Sequence, residues 1–310
     1  MVNPIMLRGM MGLGDNIYQR SIVRELAKVR PVYLITAWPQ LYADVPDIWP
    51  LRVASRLRTQ TKNMKRDDLA WAAWPRSRIP EIRINYTSRP KVSILEALGA
   101  SVGHQPERLT FDLPSFGKQS RKPYIVIRPA TIRKEWLATG RNPDPGYLAL
   151  AADKLRDFFQ IISIADLAPG EEWALEPLPY ADQTFHAGEL TIEETLSLVQ
   201  GAAGVVGGVG WLVPAAIAYR TPMLLIFGGW GFYNGPERIF DSRIDASNIR
   251  SLLPPDFCQC RDQSHNCDKR IPGIGAEIDR WLVDLVASRE AAMASGGRDR
   301  VVSGYGQPLR

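Results

Sequence analysis

In the first half of the chain, short apolar runs alternate with stretches of helical periodicity. The apolar runs at residues 5–7, 31–38 and 81–86 ("IML", "PVYLITAW" and "EIRINY") predict β-strands. Apolar positions recur at helical spacing over residues 15–29, and "KVSILEALGASVG" at residues 91–103 predicts a helix that ends on a glycine. This strand–helix alternation is typical of an α/β fold with a parallel sheet.

The same alternation restarts after a polar stretch at residues 112–123, which predicts a linker. Strands are predicted at "YIVIRPA", "QIISIAD", "GVVGG" and "TPMLLIFGG", with helices between them, one of which has Thr191 as its N-cap and Glu194 three residues on. A last helix is predicted over residues 276–294, and the Gly/Arg/Ser-rich tail at 295–310 is expected to be disordered. The pattern thus predicts two α/β halves, residues 1–118 and 119–294, with a ligand in the cleft between them.

The composition is that of an ordinary globular protein, since 45% of the 310 residues are hydrophobic and 23% are charged. A net charge of +5 favours anionic partners, whether phosphates, acidic glycans, nucleic acid or lipid headgroups. No apolar run approaches the roughly 20 residues of a membrane span, and the N-terminus lacks the features of a signal peptide. We therefore expect a cytoplasmic location, with peripheral attachment to the inner face of a membrane left open; the oligomeric state is not indicated.

All three cysteines lie in one segment, "CQCRDQSHNC". Their odd number, without an export signal, argues against disulfides. Cys258, Cys260, His265 and Cys267 are of the types that bind zinc, but the C-x-C opening is tighter than the usual C-x₂₋₄-C spacing. The segment is therefore predicted to be a loop of reduced thiols without metal, and a zinc site is the alternative.

A glycine cluster, Gly9, Gly12 and Gly14, leads into Asp15 at the start of the first helix. Neither the G-x-G-x-x-G of a dinucleotide turn nor the Gly-Lys-Ser/Thr of a Walker loop is present. An acid at this place repels phosphate, whereas the helix dipole stabilises the ionised carboxylate. Asp15 is therefore a candidate general base, and a simple N-cap is the alternative.

Basic and glycine-rich loops follow the strands of the second half. Cations after the strand "YIVI" are well placed to hold a diphosphate, although a solvated basic turn is the alternative. Glycines before and after the strand "MLLIF" allow a ligand to approach the backbone, and a helix that starts near Trp211 offers free N–H groups. The candidate contacts are Arg128, Thr131, Arg133, Lys134, Gly208, Gly210, Trp211, Gly228 and Gly229.

The order of these motifs resembles the heptosyltransferase-type glycosyltransferases, glycosyltransferase family nine, over most of residues 5–285. The family's G-x-G-D turn corresponds to "GLGD" at residues 12–15, its Lys-x-Trp element to Lys134 and Trp136, and its "AAALGTPVVALFGP" segment to "AAIAYRTPMLLIFGG". The resemblance implies the GT-B architecture, an α/β fold of two Rossmann-like domains that face each other across a cleft. It assigns the acceptor to the first domain and the nucleotide-sugar donor to the second.

The resemblance further implies an inverting transfer with Asp15 as the catalytic base and a nucleotide-diphosphate sugar as co-substrate, without any other cofactor. Metal independence agrees with the lack of an Asp-x-Asp motif. The chain departs from the family's D-[ST]-G-x-x-H pattern, because Gly208 and Val213 replace the acid and the histidine. The donor contacts of those residues are absent, so a nucleotide sugar other than ADP-heptose is plausible.

Acceptor contacts are expected from Gly12, Gly14, Asn16, Arg56 and Arg58. The two arginines lie in the basic stretch "RVASRLRTQTKNMKR", which taken alone favours a solvated face. If the stretch is functional, the acceptor is anionic, either a lipopolysaccharide-core-like or lipid-linked glycan or DNA with hydroxymethylated bases. A non-catalytic nucleotide-sugar-binding relative is a further alternative, and a nicotinamide oxidoreductase is disfavoured by the missing ribose-binding acid.

Overall fold

The computed structural model describes residues 2–117 and 122–296, and the predicted tail from residue 297 onward lies outside the described residues. Residues 5–83 form a four-stranded sheet. Its strands are β1 (Ile5–Arg8), β2 (Val32–Thr36), β3 (Ile48–Arg52) and β4 (Glu81–Arg83). They lie in the order β3-β2-β1-β4 and are all parallel. Three helices complete this half: α1 (Leu13–Ala27), α2 (Arg58–Met64) and α3 (Ile94–Ser101).

The second half is built on a six-stranded parallel sheet in the order β12-β11-β10-β5-β7-β9. Its strands are β5 (Tyr124–Ile127), β7 (Gln160–Ile164), β9 (Gln183–Phe185), β10 (Gly204–Gly207), β11 (Met223–Ile226) and β12 (Ile249–Leu252). A separate antiparallel pair consists of β6 (Thr131–Arg133) and β8 (Glu172–Ala174). The helices are α4 (Pro145–Leu155), α5 (Ile192–Gly201), α6 (Leu212–Tyr219), α7 (Gly231–Asn234), α8 (Pro236–Ile239) and α9 (Ile274–Gly296).

The predicted strand–helix alternation and the parallel sheets are confirmed. Helix α5 begins with the predicted capping box: Thr191 Oγ1 accepts from the Glu194 N–H, and the Glu194 carboxylate accepts from the Thr191 N–H. Three strands of the two parallel sheets, β3, β9 and β12, have no counterpart in the sequence prediction, and all three lie at sheet edges. Edge strands are half exposed and tolerate polar residues and proline, as in "IWPLR", so their apolar pattern is weak.

The two halves are in direct contact through α1 and α6. A Cβ atom on Gly14 would lie only 2.9 Å from Cα of Trp211, so glycine is needed for this close approach. Nearby, the Tyr18 hydroxyl donates to the backbone oxygen of Ile239 at 3.1 Å. One buried hydrophobic cluster therefore includes residues of both halves.

The final helix α9 packs against α4 of the second half. The Trp281 ring lies over Gly204, where an added Cβ atom would come within 3.0 Å of the indole. Because α9 packs on the second half, we propose that the chain divides into a first domain of residues 1–118 and a second of residues 119–294. Across residues 2–117 and 122–296, no helix combines the length and the hydropathy needed to span a membrane.

Candidate active site

A cavity of about 610 Å³ lies between the two sheets, at the carboxyl ends of their parallel strands. Its walls include Asp15 after β1, Tyr86 after β4, Arg128 after β5, Asp166 after β7 and Trp211 after β10. In α/β proteins of this kind, ligands bind where the carboxyl ends of the strands and the following loops converge. The cavity is therefore the candidate active site.

The glycine turn after β1 is held in place by Asn16. The Asn16 amide nitrogen donates to the backbone oxygens of Met10 (2.7 Å) and Gly12 (2.8 Å), and its oxygen accepts from Gln19 and Thr36. Because the side chain is completely buried in this network, Asn16 shapes the turn and does not face the cavity. The sequence-based assignment of Asn16 as an acceptor contact is thus replaced by a positioning role.

Asp15 lines the cavity together with Gly12 and Gly14. The N-cap of α1 is Gly12, so the alternative that Asp15 is the N-cap is wrong. A Cβ atom on Gly12 would lie 2.7 Å from the Asp15 carboxylate, so the carboxylate can take this position only because residue 12 is glycine. The Tyr86 hydroxyl donates to Asp15 Oδ1 at 2.9 Å and fixes the orientation of the carboxylate.

Burial raises the pKa of the Asp15 carboxyl above its ordinary value. The hydrogen bond from Tyr86, a backbone hydrogen bond from Gly12 and the charge of Arg141 oppose this increase. Desolvation therefore outweighs these three contacts, although the sequence had led us to expect a stabilised ionised form. A carboxylate with a raised pKa holds a proton more tightly than an exposed aspartate, and this suits proton acceptance from a hydroxyl.

Three arginines, Arg128, Arg133 and Arg141, line the same cavity as Asp15. Burial and the nearby charge of Arg133 lower the pKa of Arg128 to about 10. Burial and the charges of the other two arginines lower the pKa of Arg141 to about 10. Arg128 and Arg141 therefore remain cationic at neutral pH, and cations gathered in a desolvated wall favour a multivalent anion such as a diphosphate.

One buried acid, Glu172 on β8, balances part of this charge. Its carboxylate lies 2.7 Å from Arg133, 3.2 Å from Arg58 and 3.9 Å from Arg128. Glu172 Oε1 is buried and accepts no hydrogen bond from the described residues. Glu172 is thus shared by several arginines, and the cavity lining as a whole includes six acidic and six basic side chains.

The remaining cavity wall is aromatic and backbone-rich. Arg141 stacks over the Trp136 ring, 4.2 Å from its centroid, and its Nε is buried without a hydrogen-bond partner in the described chain. Gly210 and Trp211 line the cavity at the start of α6, and Thr131 accepts a hydrogen bond from Arg128 at 3.1 Å. Arg141 therefore retains a donor that an anionic ligand can use.

The structure places Lys134 away from the cavity. Side chains alternate along β6, so that Thr131 and Arg133 face the cavity while Lys134 is exposed and lies 3.5 Å from Glu171. Lys134, which was predicted to contact the donor, therefore does not line the cavity.

Three of the predicted glycines also lie outside the cavity wall. A Cβ atom on Gly228 would come within 2.0 Å of the Asn142 backbone oxygen, and one on Gly229 within 2.3 Å of Cys267 Sγ. On Gly208 it would come within 2.6 Å of the Pro143 ring. These glycines allow neighbouring loops to pack closely, and none of the three lines the cavity.

The two predicted acceptor arginines have different surroundings. Arg56 is exposed beside a shallow surface depression at the end of β3, outside the cavity. Arg58 lines the cavity and reaches across to the second half, where it lies 2.8 Å from Asp166. Further along the basic stretch, Arg66 forms an ion pair with Glu193. Arg58, Lys62 and Arg66 are thus engaged in contacts between the halves, whereas Arg52, Arg56 and Lys65 line the surface depression.

The four side chains of the cysteine segment lie together. The ligand atoms of Cys258, Cys260, His265 and Cys267 are all within 4.8 Å of one another, despite the tight C-x-C spacing. The three thiols are free, and the loop that carries them forms a compact cluster with His265, located beside Gly229 and outside the cavity wall.

Sequence reasoning missed Tyr86, Arg141 and Arg238. Tyr86 lies in the loop after β4 and Arg141 lies in the loop before α4, and these positions near the ends of elements were the available signals. Arg238 is buried and donates to the backbone oxygens of Arg89 (2.7 Å) and Val92, so it holds the loop that carries Tyr86. No local pattern marks Arg238, because its partners are more than 140 positions away.

Comparison with known folds assigns this arrangement to the GT-B class, in which two Rossmann-like domains face each other across a cleft. The chain is similar to the bacterial iron-containing dodecameric glycosyltransferase TibC from enterotoxigenic E. coli H10407, with 16% identity, a TM-score of 0.58 and coverage of 92% of this chain and 76% of that one. TibC in complex with ADP-D-β-D-heptose matches with 18% identity, a TM-score of 0.54 and coverage of 92% and 77%.

The E. coli ADP-heptose lps heptosyltransferase II matches with 14% identity and a TM-score of 0.53, covering 91% of this chain and 99% of that one. No protein-family model and no curated protein sequence matches the chain. At these identities, the comparisons show a shared fold, and they confirm the predicted α/β architecture.

Proposed function

We propose that the protein is a glycosyltransferase that moves a sugar from a nucleoside-diphosphate sugar to a hydroxyl group of an anionic glycan acceptor. One observation carries the proposal: a half-buried carboxylate, Asp15, and three arginines line the same cavity in a GT-B fold. A base and a cationic wall around one cavity are the two elements that glycosyl transfer with a diphosphate leaving group needs.

In the proposed reaction, Asp15 accepts the proton of the acceptor hydroxyl as the oxygen attacks the anomeric carbon. The bond between this carbon and the diphosphate oxygen breaks, and the configuration inverts because attack comes from the opposite face. Tyr86 keeps the Asp15 carboxylate oriented through the hydrogen bond to Oδ1. The glycine turn leaves room for the acceptor next to the carboxylate.

The negative charge that develops on the departing diphosphate is stabilised by Arg128, Arg133 and Arg141. Preformed cations in a desolvated wall stabilise such charge more strongly than cations in water, because little reorganisation is needed. The backbone around Gly210 and Trp211 at the start of α6 adds N–H donors with the same polarity. Trp136, on which Arg141 stacks, offers an aromatic surface beside the phosphates.

The comparisons support the donor class. TibC is described with bound ADP-D-β-D-heptose, and a nucleotide sugar of this general type fits a cavity with a cationic wall. Gly210 and Val213 line the cavity at the start of α6. The chain therefore has an apolar side chain, Val213, where the family motif has its histidine. We infer that the sugar is recognised differently from heptose in the family with the D-[ST]-G-x-x-H motif.

The test is a transfer assay with a panel of nucleotide sugars and glycan acceptors, in which release of nucleoside diphosphate is measured. The isosteric variant Asp15→Asn should lower kcat by about 10²–10⁴-fold, the usual contribution of a general base. Its affinity for the nucleoside diphosphate should remain close to that of the wild type, because the arginines are unchanged. Isothermal titration measures this affinity separately.

Asp279→Asn is the matched control, because this carboxylate lies on α9 and is half exposed beside Lys154, far from the cavity wall. It should retain wild-type turnover. Near-wild-type turnover of Asp15→Asn would contradict the base assignment. Binding of nucleotide sugars without transfer by the wild type, under every acceptor tested, would favour a non-catalytic binding protein.

A further inference from the structure

The cysteine segment that follows β12 brings four potential metal ligands to one point. Cys260 Sγ and Cys267 Sγ are 3.5 Å apart, His265 Nδ1 lies 3.4 Å from Cys267 Sγ, and Cys258 Sγ lies 3.6 Å from His265 Nδ1. All four ligand atoms are within 4.8 Å of one another. The three cysteines are free thiols, so no disulfide accounts for their proximity.

Three of the six distances between the ligand atoms match the edges of a metal-centred tetrahedron, and the other three do not exceed 4.8 Å. With Zn–S bonds of about 2.3 Å and Zn–N bonds of about 2.0–2.1 Å, neighbouring ligand atoms in a tetrahedron are about 3.6–3.8 Å apart. The three distances given above between the cysteine and histidine ligand atoms fall within about 0.3 Å of this range, before any adjustment to an ion. Three sulfurs and one imidazole nitrogen are a common ligand set of closed structural sites.

The loop that connects the ligands also contacts the segment that carries Arg141. The Gly140 N–H donates to the backbone oxygen of Gln263 at 2.8 Å, between the second and third ligands in the chain. On the other side, Trp230 Nε1 donates to the Arg261 oxygen at 3.0 Å and the Gly231 N–H donates to the Cys258 oxygen at 2.7 Å. The conformation of this loop therefore helps to set the conformation of residues 138–142.

We propose that Cys258, Cys260, His265 and Cys267 bind one divalent transition-metal ion of the zinc class, and that this ion fixes residues 138–142 beside the cavity. The ion replaces the thiol protons of the three cysteines and binds the unprotonated Nδ1 of His265, so loading releases protons to solvent. It has a structural role, because four protein ligands leave no open position for substrate.

The first test is the metal content of the full-length protein as purified, measured by plasma mass spectrometry. About one equivalent of zinc or ferrous iron per chain supports the site, because both ions accept a tetrahedral, thiolate-rich ligand set. Metal-free protein titrated with Co²⁺ should show thiolate-to-cobalt charge-transfer absorption and release about three protons per chain. Protein that contains no metal and does not bind Co²⁺ would overturn the proposal, as would a disulfide between Cys260 and Cys267.

The second test is hydrogen exchange on loaded and metal-free protein. Residues 138–142 should exchange at least about fivefold faster without the ion, while strands β1 and β5 should be unchanged. Equal exchange in the two forms would overturn the role of the ion in ordering this segment. Neither measurement depends on glycosyl transfer, so the outcome is independent of the proposed enzymatic function.

Variants provide the remaining control. His265→Gln and Cys267→Ser should lower the Co²⁺ stoichiometry or affinity by at least about tenfold and should also accelerate exchange at residues 138–142. Ser264→Ala lies in the same loop, is exposed and contributes no ligand atom, so it should bind Co²⁺ like the wild type. If Ser264→Ala and His265→Gln bind Co²⁺ equally well, His265 is not a ligand.

Discussion

The protonation of Asp15 depends on contacts with opposite effects on its pKa. Burial raises the pKa, whereas Tyr86, the Gly12 backbone and Arg141 lower it. A base with a raised pKa is effective only when the pH is high enough to keep it ionised, so activity should fall at acidic pH as Asp15 becomes protonated.

We predict that Tyr86→Phe moves the acidic limb of the pH–rate profile to higher pH. The substitution removes a hydrogen bond that lowers the Asp15 pKa, so the folded-state pKa rises and the carboxylate is protonated at a higher pH than in the wild type. The measurement is kcat/KM as a function of pH for the wild type and the variant. A limb that stays in place, or moves to lower pH, would show that another group controls it.

Variants of Arg141 and Lys134 distinguish the two assignments of the diphosphate contact. The structure places Arg141 at the cavity, whereas the sequence predicted a contact from Lys134. Arg141→Gln should weaken nucleoside-diphosphate binding by about 10-fold or more, since a charge-assisted hydrogen bond contributes about 1.5–3 kcal/mol. Lys134→Gln should change the Kd by no more than about twofold, because the exposed ammonium interacts mainly with solvent and Glu171. Isothermal titration with ADP and UDP measures both; a larger effect at Lys134 would favour the sequence-based assignment.

The sequence predicted the site residues whose positions depend on the local pattern of strands and helices. It did not predict those whose positions depend on contacts between distant parts of the chain. Asp15 follows β1 and Arg128 follows β5, so their positions at the cavity follow from the parallel topology. Arg133 lies on the antiparallel strand β6 and was predicted only as part of a basic segment after β5. Tyr86 and Arg238 depend on hydrogen bonds to residues about 70 and about 150 positions away, which no local periodicity records. Lys134 was predicted to contact the donor because the sequence did not indicate the short strand β6. The alternation of side chains along this strand directs Lys134 away from the cavity.

At the scale of elements, the strength of the hydrophobic signal decided what could be predicted. Central strands such as β5 and β11 are buried along their whole length and are read directly from the sequence. Helix α5 is marked by its capping box, and α1 by its apolar face. The missed strands β3, β9 and β12 lie at edges, where only one neighbouring strand and part of one face select for apolar residues.

The basic stretch gives a second example at this scale. Its sequence predicts a basic face but does not indicate what the charges contact. In the structure, α2 carries Arg58 and Lys62 toward Asp166 of the second half, at 2.8 Å and 3.6 Å. The exposed basic face favoured from the sequence is thus partly an ionic contact between the halves, and its charges were predictable while their partners were not.

In the whole molecule, the two halves are joined by contacts of different physical kinds. Helices α1 and α6 meet through a buried apolar interface that includes Gly14 and Trp211. Across the cavity mouth, the contacts are ionic and partly exposed: Arg58 with Asp166, and Arg66 with Glu193. Salt weakens partly exposed ion pairs but leaves apolar packing intact, so the ionic side is the one that can open.

We predict that the double variant Arg58→Gln/Arg66→Gln opens the cleft while the α1–α6 contact persists. Its radius of gyration in X-ray scattering should exceed that of the wild type, and 1 M salt, at which the Debye length is about 3 Å, should expand the wild type in the same direction. Water then reaches the donor, so hydrolysis of the nucleotide sugar should rise relative to transfer. Arg8→Gln/Arg280→Gln removes two exposed ion pairs that lie within single halves, with Glu81 and Glu277, and should keep the wild-type radius. Equal radii for the two double variants would show that the ion pairs across the mouth do not hold the cleft closed.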